Sequence, residues 1–183
     1  TGYAGSVQIA AEGVNATNIL GGRSHSSSGS GSHTLGYSFT PTNDLNVTHV
    51  RHYFGTKVSI WTEEGSLVAA QAVTSEPGTW VETPLATPVK LSAGTRYRVG
   101  AYTGGGSYYW RNDLSSVFFG GTIQQGYQGS GDVFPSSSDS TRWWFVDLRY
   151  TVSNLSNQGV LSPTNSGNFV NGVWTGNVTM YIA

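Results

Sequence analysis

The sequence predicts an all-β fold, specifically a two-sheet antiparallel β-sandwich with jelly-roll connectivity. Two observations carry this prediction. No stretch of the 183 residues places apolar side chains at i, i+3, i+4 and i+7 for three helical turns. Short runs of β-branched and aromatic residues are instead separated by Gly, Pro, Asn and Ser. Many short strands at this spacing are typical of a sandwich rather than of βαβ units.

These short runs define the candidate strands, taken in order along the chain. They are Val7–Ala10, Thr34–Phe39, Thr48–Phe54, Lys57–Thr62, Leu67–Thr74, Thr79–Pro84, Val89–Leu91, Arg96–Thr103, Ser107–Arg111 and Arg142–Val152. Turn residues separate several of them. Glu63-Glu64-Gly65, Glu76-Pro77-Gly78 and Ala93-Gly94-Thr95 are each predicted to close a hairpin.

Two stretches interrupt the strand pattern and are predicted to be loops. Ser24–Ser32 is low in complexity and is expected to be a flexible surface loop. Gly126–Ser140 is expected to be a longer loop, anchored by the apolar pair Phe134-Pro135.

The character of the chain changes after Val152, so we place a domain boundary near Ser153. Residues 1–152 are predicted to form the sandwich module. Residues 153–183 begin with an Asn/Ser-rich linker and continue as strands around Asn171-Gly172, a dipeptide typical of a two-residue hairpin. This tail would either pack on the sandwich or belong to a neighbouring domain.

Composition excludes several classes of function. Lys and Arg number 9 and Asp and Glu number 10, a net charge of −1, and only 10 % of residues are charged. Such a surface does not hold phosphate backbones, which argues against nucleic acid and anionic membranes as partners. The chain has no Cys, which excludes disulfides, zinc–thiolate sites and cysteine nucleophiles. No apolar run is long enough for membrane insertion. Because the chain begins at Thr1, without an initiator Met or a signal peptide, we expect a mature or trimmed piece of a longer protein.

The sequence predicts a protein that is not an enzyme. No Ser has Gly both two residues before and two residues after it, so the nucleophile elbow is missing. His49 and His52 would point to opposite faces of a strand and could not share a metal ion. Glu63 and Glu64 are adjacent in a turn and would diverge, which makes a poor acid–base pair. Gly104-Gly105-Gly106 lacks the Lys of a phosphate loop.

The strongest candidate for ligand contact follows this triple glycine. The predicted ligand-binding residues are Tyr108, Tyr109, Trp110, Arg111, Asn112, Asp113 and Trp143. Adjacent aromatics on a strand point to both faces, so either Tyr109 or the pair Tyr108 and Trp110 must lie outward. Flat rings stack on the C–H faces of sugars, and the polar residues that follow would bind hydroxyl groups. Trp143 would either join this platform or pack under a loop.

Alternation along Arg142–Val152 separates core residues from a mixed face. The apolar even positions Trp144, Val146, Leu148 and Tyr150 are predicted to be core. If this strand shared a sheet with Arg96–Thr103, then Arg98, Asp147 and Arg149 would form an ion-paired cluster. We interpret that cluster as a solvated network rather than a ligand clamp. The alternative is that Arg98 or Arg149 hydrogen-bonds sugar hydroxyls or a uronate. Trp61 and Trp80 are predicted to be structural.

Several motifs resemble those of a domain of unknown function that is found repeated in large secreted bacterial proteins. They are LGYSFTPTND (Leu35–Asp44), VTHVRHYF (Val47–Phe54), SIWTEEGSLVA (Ser59–Ala69), TPVKLSAGTRYRVGAY (Thr87–Tyr102) and FPSSSDSTRWWFVDLRY (Phe134–Tyr150). The resemblance covers about residues 18 to 152. Ser162–Met180 separately resembles the last strands of bacterial Ig-like repeats. The resemblance implies a β-sandwich module on an exported bacterial protein and supplies no catalytic residues.

We therefore expect a non-catalytic carbohydrate-binding module, secreted or on the cell surface, tethered to other domains of a longer chain. It would act as a monomer and bind a polysaccharide or oligosaccharide, with neutral β-linked polymers preferred. No cofactor is required. A structural calcium ion would suit the loop acids Asp44, Asp113 and Asp132, but no spaced Asp array exists and we assign no ligands. The alternative is a structural or adhesive spacer of a bacterial surface protein, without a glycan site.

Overall fold

The computed structural model describes residues 16–113, 116–152, 166–170 and 173–177. These residues form strands and no helix, and therefore no helix that could cross a membrane. The strands are β1 Thr17–Asn18, β2 Ser27–Ser30, β3 His33–Pro41, β4 Leu45–His52, β5 Lys57–Thr62, β6 Leu67–Ala72, β7 Val81–Leu91, β8 Tyr97–Tyr102, β9 Ser107–Arg111, β10 Val117–Phe118, β11 Gly121–Ser130, β12 Ser137–Asp139, β13 Trp143–Trp144, β14 Val146–Val152, β15 Ser166–Val170 and β16 Val173–Asn177. The chain divides into two compact units, Thr1–Val152 and Ser153–Ala183.

In the first unit the described residues form three antiparallel sheets. A four-stranded sheet has the order β1-β14-β4-β7, and a seven-stranded sheet has the order β10-β11-β3-β8-β5-β6 with β12 paired to β11. A smaller sheet has the order β13-β9-β2. Every pairing between strands of this unit is antiparallel within the described ranges. The predicted all-β antiparallel sandwich is confirmed, while the jelly-roll connectivity stays a prediction.

The two larger sheets bury their apolar side chains in one hydrophobic core. Alternation predicts Trp144, Val146, Leu148 and Tyr150 as core residues, and all four are buried. Alternate residues of β3 contribute from the seven-stranded sheet, where Tyr37 is fully buried. The period-two pattern therefore identified the core faces correctly.

Both stretches predicted as loops contain strands, so these predictions were wrong. Ser27–Ser30, within Ser24–Ser32, is strand β2 and pairs with β9. Gly126–Ser130 is the second half of β11 and pairs with β3. Composition misled in both cases because a glycine in each stretch is required by close packing. A Cβ on Gly126, for example, would lie 2.4 Å from the carbonyl oxygen of Arg142. The apolar anchor is confirmed, since Pro135 is buried.

Of the three predicted hairpins in this unit, only the one at Glu63-Glu64-Gly65 forms. It joins β5 and β6, which pair directly. Glu76-Pro77-Gly78 joins β6 to β7, and Ala93-Gly94-Thr95 joins β7 to β8, and in both cases the two strands belong to different sheets. Turn residues reverse the chain equally well within a sheet and between sheets. The predicted strands Thr79–Pro84 and Val89–Leu91 are two parts of the single strand β7, which begins at Val81 and so leaves out Thr79 and Trp80. The predicted strand Val7–Ala10 lies outside the described residues.

The second unit contains the antiparallel pair β15 and β16. Val170 lies opposite Val173, the register expected for a hairpin around Asn171-Gly172. The pairing predicted from this dipeptide is therefore confirmed, although the dipeptide itself lies outside the described residues.

Candidate ligand-binding site

The small sheet places the predicted aromatic residues on two opposite faces. Its central strand is β9, and Trp110 lies opposite Trp144 of β13 while Tyr108 lies opposite Gly29 of β2. Residues directly opposite each other on antiparallel strands share a face, and neighbours along one strand do not. Tyr108, Trp110 and Trp144 therefore share one face, and Tyr109 lies on the other.

Tyr108 and Trp110 form a pair of neighbouring rings, which we call the Tyr108–Trp110 platform. The ring centroids are 5.8 Å apart and the ring planes are inclined by 35°. Trp144, only 1 % exposed, supports both rings edge-on, with centroids 5.7 Å from Tyr108 and 5.5 Å from Trp110. Both platform rings are half-buried. The platform is thus fixed from below and retains exposed surface.

Gly29 allows the Tyr108 ring to lie in this position. A Cβ at residue 29 would lie 2.7 Å from Cζ and from the hydroxyl oxygen of Tyr108. The ring therefore lies directly across the backbone of β2. His33 also contacts Tyr108, with ring centroids 5.8 Å apart in an edge arrangement.

Tyr109 belongs to an aromatic cluster on the opposite face. Its ring centroid is 5.4 Å from that of the buried Tyr53 and 4.6 Å from that of His25. Its carbonyl oxygen accepts a 3.1 Å hydrogen bond from the amide of Phe145. Trp143 is half-buried and lies opposite Arg111, on the face that Tyr109 shares. The predicted site residues therefore do not form one platform.

The polar residues after the aromatics are largely engaged with each other. Arg111 donates two hydrogen bonds of 2.7 Å to the carboxylate of Asp113 and a third of 3.0 Å to the carbonyl oxygen of Ser24. The hydrogen bond from Arg111 lowers the pKa of Asp113 below its usual value. Asn112 and Asp113 are exposed. This pair fixes the end of β9, with the exposed Asn112 between its two members.

Arg142 is a site residue that the sequence reasoning missed. Its guanidinium carbon lies 5.5 Å from the ring centroid of Trp110 and 5.6 Å from that of Trp144. The Arg142 side chain is 42 % exposed, and its Nε lies 3.4 Å from a carboxylate oxygen of Asp139. Arg142 precedes β13 and lies in a turn held by Asp139, so strand alternation in the sequence does not place it at the site.

The predicted cluster of Arg98, Asp147 and Arg149 does not form. Arg98 lies on β8 in the seven-stranded sheet, whereas the other two lie on β14 in the four-stranded sheet. Arg98 is buried and donates to Glu63 at 2.5 Å, and its guanidinium carbon lies 3.5 Å from the ring centroid of Tyr127. The expectation was wrong because it assumed that both strands share a sheet.

Asp147 is instead the acceptor of a fully buried network. Arg51 donates to it at 2.5 Å, and the amides of Ile19 and Leu20 donate at 2.9 and 3.1 Å. Burial raises the pKa of Asp147 to about 6, although Arg51 and the amide donors lower it. Arg149 pairs with Glu82 at 2.9 Å. These contacts hold strands of the four-stranded sheet together.

The remaining candidates have structural contacts. His52 is buried and hydrogen-bonds to Ser75 and Thr83 at 2.7 and 2.9 Å. Trp61 is buried, and Trp80 stacks on Phe145 with centroids 5.3 Å apart. These placements agree with the structural roles predicted for the two Trp residues.

Among the described residues, no group of three or more His, Cys, Asp or Glu side chains could hold a metal ion. The loop acids considered for calcium each have a partner of their own. Asp44 accepts from the amide of Ala93, and Asp132 pairs with Lys57.

Together these observations define an antiparallel β-sandwich domain that carries a pair of half-exposed rings on its smallest sheet. Residues 21–146 match the family described as a domain of unknown function, DUF4082, and the chain belongs to that family. The resemblance noted in the sequence is thus confirmed at the level of a family of unknown function. No curated protein matches the chain.

Proposed function

We propose that this domain is a non-catalytic carbohydrate-binding module of an exported bacterial multidomain protein, secreted or displayed on the cell surface. The Tyr108–Trp110 platform is the observation that carries the proposal. Two half-exposed rings 5.8 Å apart, supported by the buried Trp144, offer neighbouring flat apolar surfaces. On this proposal the module is a monomer that needs no cofactor and is tethered to other domains.

The chemistry of the platform matches that of a sugar chain. The C–H faces of successive sugar rings would stack on Trp110 and Tyr108, which removes apolar surface from water on both partners. The exposed Asn112, which follows the end of β9, would hydrogen-bond sugar hydroxyls. The fixed supporting ring would limit the entropy lost on binding.

The first test removes one ring from each face of the small sheet. Trp110→Ala and Trp143→Ala delete the same side chain from the platform and from the opposite face. Affinity gel electrophoresis against a polysaccharide panel measures the affinity of each variant from its retardation. We expect Trp110→Ala to lower the affinity about tenfold, because the variant loses one stacked ring. We expect Tyr108→Ala to behave similarly and Trp143→Ala to bind as the unmodified domain does.

Denaturant unfolding of each variant provides the control for folding. Retardation that persists in folded Trp110→Ala and Tyr108→Ala proteins would contradict the platform. Retardation that is lost only in Trp143→Ala would place binding on the other face.

A structural or adhesive spacer is the second candidate. It is favoured by the engagement of Tyr109 within an aromatic cluster and of Arg111 with Asp113. A spacer would show unchanged mobility across the whole panel for the unmodified domain.

A further inference from the structure

We infer that the Tyr108–Trp110 platform selects an acidic polysaccharide, and that Arg142 binds the carboxylate of a uronate residue stacked on Trp110. This inference rests on the proposed function and changes its ligand class, because composition alone favoured a neutral polymer. The argument depends on the position of the Arg142 guanidinium, on how it is held, and on its unused donors.

The Arg142 guanidinium lies beside the platform. Its central carbon is 5.5 Å from the Trp110 centroid, and 42 % of the side chain is exposed. A pyranose ring that stacks on Trp110 extends its C5 carboxylate beyond the edge of the indole, approximately in the plane of the sugar. On this proposal, a guanidinium at this distance from the Trp110 ring would meet that carboxylate.

The backbone around Arg142 is held by two specific contacts. One carboxylate oxygen of Asp139 accepts hydrogen bonds from the amides of Thr141 and Arg142 and from the Thr141 hydroxyl, at 2.9 to 3.0 Å. The Arg142 carbonyl oxygen also lies so close to Gly126 that a Cβ there would be 2.4 Å away. The guanidinium therefore extends from a fixed point.

Arg142 has the longest carboxylate contact among the arginines of the described residues that pair with a carboxylate. Five arginines contact a carboxylate within the described residues, at 2.5 Å for Arg51 and Arg98, 2.7 Å for Arg111, 2.9 Å for Arg149 and 3.4 Å for Arg142. Charge-assisted N–H···O bonds are normally shorter than 3 Å. The other carboxylate oxygen of Asp139 already accepts the hydrogen bonds from Thr141 and from the Arg142 amide. The two Nη groups of Arg142 thus remain able to bind a carboxylate as a fork.

The test compares acidic polymers with neutral forms of the same chain. Polygalacturonate and alginate are each paired with the fully methyl-esterified polymer, which retains the backbone and removes the charge. We expect the domain to bind at least one of the acidic forms about tenfold more tightly than its ester, and added salt to weaken the acidic interaction.

Variants then assign the preference to one side chain. Arg142→Gln should remove the tenfold preference and leave residual binding equal to that of the ester. Arg142→Lys should retain part of it, because Lys keeps the charge but lacks the fork. Arg149→Gln is the matched control, since Arg149 is equally exposed at 42 % and lies on the four-stranded sheet.

The outcomes separate this inference from the proposed function. Equal binding of acid and ester, or an unchanged preference in Arg142→Gln, would overturn the role of Arg142. The role of Arg142 would also be overturned if the domain bound neither polygalacturonate nor alginate. Binding of neutral polymers that is lost in Trp110→Ala would still support a carbohydrate-binding module.

Discussion

Gly29 shows how one missing side chain determines the geometry of the candidate site. The Tyr108 ring lies across the backbone of β2 only because residue 29 has no Cβ. The platform therefore depends on Gly29 as well as on the two rings that would touch a ligand. Gly126 acts similarly for Arg142, whose carbonyl oxygen occupies the space that a Cβ would need.

Gly29→Ala should displace the Tyr108 ring without removing it. The new Cβ would lie 2.7 Å from ring atoms at the far end of a side chain that can rotate. We therefore expect polysaccharide affinity to fall as in Tyr108→Ala, while the free energy of unfolding changes by less than about 1 kcal/mol. Gly22→Ala is the matched control, because a Cβ at residue 22 meets nothing within 4 Å. Wild-type affinity in Gly29→Ala would show that the ring position is unimportant.

At the scale of single elements, β14 is held by charged and apolar contacts on different faces. Val146, Leu148 and Tyr150 pack into the core, while Asp147 is buried on the other face beneath Ile19 and Leu20. The Asp147 carboxylate thereby ties the segment next to β1 onto the four-stranded sheet. The odd positions of this strand are structural and not a binding surface.

Asp147→Asn should destabilise the domain strongly. The amide would place an NH₂ group against backbone N–H donors and would leave Arg51 without its buried carboxylate. We expect a loss of about 3 kcal/mol in the free energy of unfolding, measured with urea. Arg149→Gln, which breaks an exposed pair with Glu82, should cost less than about 1 kcal/mol. Similar costs for the two variants would contradict the buried network.

Strand periodicity predicted these elements better than it predicted their arrangement. The bounds of Lys57–Thr62 and Ser107–Arg111 were predicted correctly, because alternation and turn residues are local properties. The sheet to which a strand belongs depends on distant partners, which is why Arg98 was placed beside Asp147. Strand β2 was missed because a Ser/Gly run has no intrinsic preference for strands. This run becomes a strand by pairing with β9.

The same distinction applies to the candidate site. Strand alternation showed that either Tyr109 or the pair Tyr108 and Trp110 must face outward. Alternation alone could not decide which of the two faces is exposed. The orientation of the pair depends on Trp144, which lies on a different strand and supports both rings. Arg142 reaches the site through a turn held by Asp139, a contact that no local pattern specifies.

At the scale of the whole molecule, a chain with only 10 % charged residues owes its pH response to a few buried groups. His52 and Asp147 are both fully buried. Burial lowers the pKa of His52 from 6.5 to about 4 and raises that of Asp147 from 3.8 to about 6. The two groups therefore affect stability in opposite directions over nearly the same pH range.

The sign for each group follows from which state binds the proton. Between pH 6.5 and about 4, unfolded His52 is protonated and folded His52 is neutral, so its contribution to stability falls as the pH falls. Between pH 3.8 and about 6, folded Asp147 is protonated and unfolded Asp147 is charged, so its contribution falls as the pH rises. The opposing slopes should give the unmodified domain a shallow stability profile across this range.

His52→Gln should reveal the contribution of His52. Gln can hydrogen-bond to Ser75 and Thr83 but does not titrate, and the contribution of Asp147 is common to both proteins. The stability of the unmodified domain minus that of the variant should therefore decrease by about 3 kcal/mol as the pH falls from 6.5 to 4. Above pH 7 the difference should be constant, because His52 is then neutral in both states. Urea unfolding at half-unit pH intervals measures this difference directly, and parallel profiles for the two proteins would show that folded His52 titrates as freely as the unfolded side chain.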